Sequence, residues 1–193
     1  ETPATACRPF DQNRCGFVLA EGAAVLVLES LESAKKRNAP IFGEIAGFGS
    51  NCDASSLTNP DVDGVAESMK LALKDANINP DTIDYINAHG TGTRINDPLE
   101  CRAIHNVFGD RSKILPISSS KSFFGHAMGA SSALEALATM LAVQNDCAPP
   151  TLNCDDLDPE CRIDPVSYKS RKVQINTALS NSFAFGGSNG VLI

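Results

Sequence analysis

The sequence is poor in aromatic and imidazole side chains: it has no tryptophan, 2 tyrosines and 3 histidines among 193 residues. It also lacks any apolar run of membrane-spanning length and any N-terminal stretch that resembles a signal peptide. Acidic residues outnumber basic ones by 23 to 16, and a net charge of -7 disfavours nucleic acid and anionic membranes as partners. We therefore expect a globular, cytoplasmic protein with neither of those partners.

The 7 cysteines include no C-x-x-C pair. Cys147, Cys154 and Cys161 recur at regular intervals, but the residues between them are rich in proline and aspartate, so the spacing defines no helical face. A structural zinc site would require closer pairs. We predict reduced thiols and no metal site.

The beginning of the chain, ETPATACRPFDQNRCG, contains neither an initiator methionine nor the start of a recognisable helix or strand. The 193 residues are enough for one sizeable domain and too few for two large ones. We interpret the chain as a fragment, or as one piece of a longer polypeptide.

Hydrophobic periodicity divides the chain into alternating strands and helices. The continuous apolar run AAVLVLESL at 23–31 predicts a strand covered on both faces, because a half-exposed strand would alternate polar and apolar residues. Apolar residues at helical spacing predict an amphipathic helix over 62–77 that ends before Pro80. We predict further strands over 39–51, 82–88, 113–119, 172–182 and 189–193, and further helices from Asp97 to Gly109 and over 132–145, the last of them largely apolar and buried.

This order predicts an α/β fold with a mainly parallel sheet. Ligands of such sheets bind beyond the carboxyl ends of the strands. The loops that carry His89, Lys121–His126 and Phe183–Ser188 all follow predicted strands. We therefore expect these three loops to meet at one edge of the sheet and to form one site.

Two histidines in small-residue loops, NAHGTGT and FFGHAMG, suggest that this site stabilises an anion. Imidazoles donate hydrogen bonds to a developing oxyanion, and glycines let backbone N–H groups approach the same atom. A lone histidine in a tight turn would be explained by structure alone, but His126, with Lys121 just before it, repeats the setting of His89. A phosphate-binding loop is the alternative, although GTGT lacks the G-x-x-x-x-G-K pattern.

Four segments, in order, carry a family resemblance: RPFDQNRCGFVLAEGAAVLVLE, NAHGTGTRINDPLE, SSSKSFFGHAMGASSALEA and NSFAFGGSNG. Together they resemble the β-ketoacyl-acyl-carrier-protein synthases, most closely the elongating enzymes of the KAS I/II type, while HGTGT and DPLE are also similar to polyketide ketosynthases. The resemblance implies a thiolase-like fold of five αβαβα layers, of which this chain is the C-terminal half. Residues 1–40 would end the N-terminal half, and residues 41–193 would form the C-terminal domain.

The resemblance implies a decarboxylative Claisen condensation in fatty-acid or polyketide synthesis. An acyl chain is held as a thioester on a cysteine, and the enolate formed when malonyl-carrier protein loses CO2 attacks it. His89 and His126 would polarise the malonyl thioester and stabilise the enolate. Lys121 would hold the charge network, with Glu135 as its acidic companion.

The resemblance also implies that Thr91 and Thr93 hydrogen-bond the phosphopantetheine arm. The backbone N–H of Phe185, the gating phenylalanine of the family, would contribute to the oxyanion hole. The implied partners are acyl carrier protein, the N-terminal ketosynthase half and a second copy of the complete enzyme. No metal or organic cofactor is implied.

The sequence departs from the family pattern at several positions. The nucleophilic cysteine of the family belongs to a small-residue elbow upstream of RPFD, and no cysteine here occupies that place. Cys15 stands where the family usually has aspartate, and no exposed nucleophile is expected there. Ala184 replaces a usual glycine, and we hypothesise that it stiffens Phe185 and narrows the range of acyl chains. Because the nucleophilic cysteine is missing from these residues, condensation would require the N-terminal half.

Other residues have simpler explanations. Asp97 and Glu100 are explained as helix-capping residues, with Pro98 at the first helical position. His105 is predicted to have no function, and Phe123 and Phe124 to line walls or core.

Two other functions stay open. A non-catalytic partner similar to chain-length factors would shape the acyl tunnel without condensing, but such proteins usually lose the active-site residues that this chain keeps. A thiolase-type enzyme would pair one histidine with a second cysteine.

Overall fold

A computed structural model describes residues 2–193. It contains five α-helices, namely α1 (Leu31–Lys36), α2 (Val62–Asp75), α3 (Asn96–Phe108), α4 (Lys121–Phe124) and α5 (Ser131–Asn145). The eight strands of these residues are β1 (Phe48–Cys52), β2 (Tyr85–Asn87), β3 (Pro116–Ser118), β4 (Cys147–Ala148), β5 (Asp164–Pro165), β6 (Arg171–Lys172), β7 (Ala178–Ala184) and β8 (Ser188–Leu192). None of the described helices is long and apolar enough to cross a membrane.

A six-stranded sheet with the order β1-β8-β7-β2-β3-β5 organises the chain. The pairs β7–β2, β2–β3 and β3–β5 are parallel, whereas β1–β8 and β7–β8 are antiparallel. The short strands β4 and β6 form a separate antiparallel pair. The predicted α/β fold with a mainly parallel, mixed sheet is confirmed.

The two faces of the sheet contact different helices, because neighbouring residues of a strand point to opposite sides. Ile86 of β2 packs in the larger core, together with Met69 of α2 and Ile104 of α3. The adjacent Tyr85 belongs to a smaller core with Ala142 of α5. Helices α2 and α3 therefore cover one face of the sheet, and α5 covers the other.

The prediction that α5 is buried holds for only one face of the helix. Its buried residues are Ser131, Glu135, Thr139 and Ala142, so the face toward the sheet is small and polar. Leu137 and Leu141 on its other face are exposed. The apolar composition of α5 cannot distinguish a helix packed on two sides from one packed on a single side, and in the described residues only one side is covered.

The predicted strand at 23–31 is also wrong, since these residues form no strand and α1 begins at Leu31. Val25 and Val27 are 88% and 85% exposed. A strand requires a neighbour that accepts its backbone hydrogen bonds, and the described part of the chain offers this segment none.

The predicted strand at 39–51 is present only as β1, from Phe48 to Cys52. The close approach expected at its glycines is real at Gly49. A Cβ atom there would lie 2.1 Å from the carbonyl oxygen of Ser68, so only glycine lets β1 pack directly on α2.

Most of the remaining boundaries differ by a few residues. The predicted strand at 172–182 is divided, because residues 171–172 form β6 of the separate pair and β7 begins only at Ala178. Helix α2 begins after Asp61, whose carboxylate caps Gly64 N–H at 2.9 Å, and α3 ends at Gly109 as predicted. Two predictions fail: the loop after β3 contains the short helix α4, and Asp97 does not cap α3. Helix α3 begins one residue earlier, at Asn96, whose N–H donates to the Thr93 hydroxyl at 3.1 Å.

Candidate active site

Three loops meet at the carboxyl edge of the parallel strands. His89 follows β2, Lys121 follows β3, and Phe185 follows β7. A cavity of about 610 Å³ opens at this edge and is lined by His89, His126 and Phe185 among others. The three loops that the sequence predicted to converge do so.

Glu100 fixes the backbone of the His89 loop from behind. Its two carboxylate oxygens accept hydrogen bonds from the N–H groups of His89 and Gly90, each at 2.8 Å. The side chain of Asn181 on β7 donates to the same carboxylate at 3.0 Å. Glu100 is fully buried, and burial raises the pKa of its carboxyl group while these donors oppose that rise. One buried carboxylate thus joins α3, β7 and the His89 loop.

Lys121 lies behind His89, completely buried. Its ammonium group donates to the His89 carbonyl oxygen at 2.6 Å and contacts His89 Nδ1 at 3.3 Å. It also pairs with the buried carboxylate of Glu135 on α5, the partner that the sequence predicted for it. Burial raises the pKa of Glu135, and the neighbouring Lys121 opposes the rise.

The hydrogen bonds of His89 determine which ring nitrogen carries the proton. Both Lys121 and the N–H of Phe183 direct hydrogens to Nδ1, the latter at 3.4 Å, so Nδ1 is the acceptor. The neutral ring therefore carries its proton on Nε2. Burial, Lys121 and His126 lower the pKa of His89 well below 6.5, which keeps the ring neutral at neutral pH.

His126 has a matching arrangement. Its Nδ1 accepts from the N–H of Met128 at 3.2 Å and lies 3.0 Å from the Ser131 hydroxyl, which assigns the proton to Nε2. Burial, with a contribution from Lys121, lowers the pKa of His126 to about 4. The His89 and His126 rings lie 5.6 Å apart in an edge-to-face arrangement. The cavity is thus lined by two neutral imidazoles that carry their protons on Nε2.

Thr91 and Thr93 lie on the same loop, and their hydroxyl groups contact each other at 2.9 Å. Both line the cavity. The carbonyl oxygen of Thr93 accepts a hydrogen bond from Nε of the buried Arg14 at 2.9 Å. Asp97, also buried, accepts from the N–H groups of Gly92 at 3.1 Å and Phe10 at 2.8 Å. Arg14 and Asp97 thereby tie the N-terminal lead-in, residues 2–30, to the threonine loop.

Phe185 occupies the outer side of the cavity and is largely exposed. Two residues on, Gly187 has φ of +81°, and a Cβ atom there would lie 2.3 Å from Oδ1 of Asp53. Ala184, by contrast, is extended with φ of −135°, a conformation that any residue adopts. The backbone before Phe185 therefore does not require the glycine that the family usually has there.

All seven cysteines are free thiols. Cys15 is exposed and lines the cavity, which sequence reasoning did not predict. It lies in an irregular segment, and residues 2–193 place no helix directly after it. No cluster of metal-ligating side chains occurs in the described residues.

Sequence reasoning missed the contribution of Arg14, Asp97 and Glu100 to this site. Asp97 and Glu100 were explained as capping residues, but both are fully buried and accept hydrogen bonds from loops. The available signal was the apolar flank of Glu100 between Leu99 and Cys101, because a carboxylate in such a position requires buried donors.

The other residues singled out in the sequence lie elsewhere. His105 on α3 contacts the hydroxyl of Ser112 at 3.2 Å and does not line the cavity. Phe123 is exposed and Phe124 is partly buried. Neither phenylalanine lines the cavity.

Comparison with known protein families shows which family this chain belongs to. Residues 42–155, more than half of the chain, match the family model described as "Beta-ketoacyl synthase, C-terminal domain". The chain belongs to the β-ketoacyl synthase family. Residues 1–34 of this β-ketoacyl synthase chain match the model described as "Beta-ketoacyl synthase, N-terminal domain".

Individual β-ketoacyl synthases are similar over the whole chain. This chain is 50% identical to the 3-oxoacyl-(acyl-carrier-protein) synthase 2 of Coxiella burnetii, and the match covers 100% of this chain and 47% of that protein. A solved structure described as the ishigamide ketosynthase/chain length factor is 45% identical, with a TM-score of 0.95 over 100% of this chain and 47% of its own.

A third relative comes from a complex described as AntDE:AntF, a type II PKS acyl-carrier protein with its ketosynthase bound to the hexaketide. Its matching chain is 41% identical, with a TM-score of 0.96 over 100% of this chain and 48% of its own. The thiolase-like fold predicted from the sequence is confirmed by these ketosynthase neighbours. The chain spans about half the length of the relatives that it matches.

Proposed function

We propose that this chain supplies the histidine- and lysine-bearing half of a β-ketoacyl-acyl-carrier-protein synthase, which condenses an acyl thioester with malonyl-carrier protein. One observation carries the proposal: two neutral imidazoles, His89 and His126, line one cavity and have Nε2 protons to donate. A pair of preorganised donors stabilises negative charge that develops on a thioester oxygen. The loss of CO2 from a malonyl thioester creates such an enolate.

The surrounding residues have supporting roles in this proposal. Lys121, whose ammonium contacts His89 Nδ1, keeps the ring neutral and oriented, and Glu135 balances its charge. Thr91 and Thr93 provide hydroxyl groups for the amides of the phosphopantetheine arm. Phe185 gates the acyl side of the cavity, and its backbone N–H contributes to the oxyanion hole for the acyl thioester.

The proposal assigns the nucleophilic cysteine to an N-terminal ketosynthase half, whose last part would be residues 1–40 and which joins a C-terminal domain of residues 41–193. Similarity to a ketosynthase in complex with an acyl-carrier protein supports a carrier-protein partner. The complete enzyme would be a cytoplasmic homodimer that needs no metal or organic cofactor, because its substrates arrive on phosphopantetheine.

A non-catalytic role is the alternative, since one similar structure is described as a ketosynthase/chain length factor. Such a subunit would shape the acyl tunnel and would not decarboxylate malonyl thioesters. The retention of His89 and His126 at one cavity, with Lys121 buried behind His89, favours the catalytic role.

The test measures CO2 release from malonyl-carrier protein by the protein expressed from its complete reading frame. We expect His126→Ala to lower the rate by about 10²–10³-fold, the usual cost of removing one oxyanion donor. His105→Ala removes the third histidine, which lies outside the cavity, and should leave the rate unchanged. Equal rates for the parent and His126→Ala would refute the proposal. No CO2 release by a folded parent would favour the chain-length-factor role.

A further inference from the structure

Arg94 is the one acidic or basic side chain among the described residues that line the cavity. The other lining residues are the two histidines, Asn96, hydroxyl residues, small residues and apolar residues. The chain as a whole has a net charge of -7, so an isolated arginine at this position creates a local positive field in a negatively charged protein.

The loop from His89 to Arg94 passes from the interior to the surface. His89 and Thr91 are buried, Thr93 is partly buried, and Arg94 is exposed. Exposure to solvent therefore increases along the loop from His89 to Arg94. An extended ligand whose reacting end contacts His89 would pass the two threonine hydroxyls before it reaches Arg94.

The backbone of this outer segment is anchored, while the guanidinium group has no partner among residues 2–193. Arg14 donates from Nε to the Thr93 carbonyl oxygen at 2.9 Å and from Nη2 to the Arg94 carbonyl oxygen at 3.4 Å. The Arg94 side chain makes no ion pair or hydrogen bond with residues 2–193. An arginine held by its backbone and unpaired at its head is available for a ligand anion.

We propose that Arg94 binds the phosphate group of the phosphopantetheine arm at the mouth of the cavity. This inference rests on the proposed function, which places the thioester end of the arm at His89 and His126. The planar guanidinium donates two parallel hydrogen bonds to phosphate oxygens, a geometry that lysine cannot reproduce. The cavity would thus recognise the arm at three depths: thioester at the histidines, amides at the threonines and phosphate at Arg94.

The experiment compares malonyl-phosphopantetheine with malonyl-pantetheine, which lacks the phosphate, as substrates for CO2 release by the protein from its complete reading frame. We expect Arg94→Gln to raise KM for malonyl-phosphopantetheine and for malonyl-carrier protein by about tenfold, the scale of one charge-assisted hydrogen bond. The KM for malonyl-pantetheine and every kcat should stay unchanged. Arg94→Lys should have an intermediate KM. Arg102→Gln, an exposed arginine of α3 outside the cavity, is the matched control.

Three outcomes would overturn the inference. An equal rise for both small substrates would indicate a distorted site, and a rise for carrier protein alone would place Arg94 against the carrier's own carboxylates. No rise at all would remove Arg94 from substrate binding. The Kd of phosphopantetheine itself, measured by calorimetry for the parent and Arg94→Gln, requires no turnover. A parent that binds phosphopantetheine in an Arg94-dependent way without releasing CO2 would refute the proposed function and keep this inference.

Discussion

The chemistry of His89 and His126 depends on what surrounds each ring rather than on imidazole itself. In both rings, donors saturate Nδ1 and leave the proton on Nε2. The nearby Lys121 adds a positive charge that, together with burial, disfavours the imidazolium form. Neutral rings can donate hydrogen bonds from Nε2 over the whole range of ordinary cellular pH, as the proposed role in stabilising an oxyanion requires.

This arrangement predicts a pH dependence of stability at the residue scale. The pKa of His126 is about 4 in the folded protein, below its ordinary value of 6.5. Between these values the unfolded chain binds more protons, so the free energy of unfolding falls as pH falls through this window. We expect His126→Asn to show a shallower fall than the parent in chemical denaturation between pH 7 and about pH 4.

The comparison with the parent matters because Glu135 changes the free energy of unfolding with pH in the opposite direction to His126. Burial raises the pKa of its carboxyl group, so its own ionisation destabilises the folded state as pH rises. This contribution is present in both proteins and cancels in their difference. Parallel pH profiles for the parent and His126→Asn would contradict a depressed pKa at His126.

At the scale of elements, the start of α3 fixes the backbone of the loop that carries His89. Asp97 accepts from the N–H groups of Phe10 and Gly92, and Glu100 accepts from those of His89 and Gly90. Helix α3 begins directly after the loop, and two carboxylates of its first turns accept hydrogen bonds from the backbone of that loop. The helix thus positions the loop to which the proposed function assigns His89, Thr91 and Thr93.

Glu100→Gln tests this arrangement. Glutamine has only one acceptor oxygen, so its side-chain NH2 group would face one of the two backbone N–H groups, of His89 or Gly90, that Glu100 accepts from. We expect a loss of about 1–3 kcal/mol in the free energy of unfolding, the cost of an unsatisfied buried donor. The rate of CO2 release should also fall, because the His89 backbone is displaced.

The matched control is Glu67→Gln, at an exposed carboxylate of α2 whose ion pair with Lys70 spans 4.0 Å. A solvent-exposed pair of this kind contributes at most about 1 kcal/mol, so little change is expected. Equal stability losses in the two variants would show that Glu100 does not hold the loop.

At the scale of the whole molecule, two apolar surfaces have no cover among the described residues. Val25, Val27 and Leu28 of the lead-in are exposed, and so are Leu137 and Leu141 on the outer face of α5. Water contact with this much aliphatic surface is unfavourable, and such patches promote association. The proposed N-terminal half would bury them.

We expect residues 1–193, produced alone, to bind a hydrophobic dye and to self-associate in size-exclusion chromatography. The double variant Leu137→Gln, Leu141→Gln should bind less dye, because it removes part of the exposed apolar surface. Co-production with the N-terminal half of a β-ketoacyl synthase should lower dye binding further. A monomer that binds no dye would contradict this view of the α5 surface.

Much of the fold could be predicted because local pattern and tertiary environment agree there. The spacing of apolar residues located α2, Gly109 located the end of α3, and the order of strands and helices located the three loops of the site. Prediction failed for 23–31 and for the outer face of α5. In both cases the residues are apolar enough for a buried position, but strand pairing and burial require partners that local sequence does not reveal.

By itself, the sequence determined which groups the chain brings to this edge of the sheet: two histidines, a lysine and a glycine–threonine loop, in segments that connect a strand to the next helix. Only the tertiary structure decided their protonation and the roles of Arg14, Asp97 and Glu100. The physical reason is that the pKa and hydrogen bonds of a group depend on charges and donors from distant parts of the chain. The structure likewise shows that the Arg94 guanidinium has no partner among residues 2–193. The sequence could not show this, because it does not reveal which side chains surround Arg94.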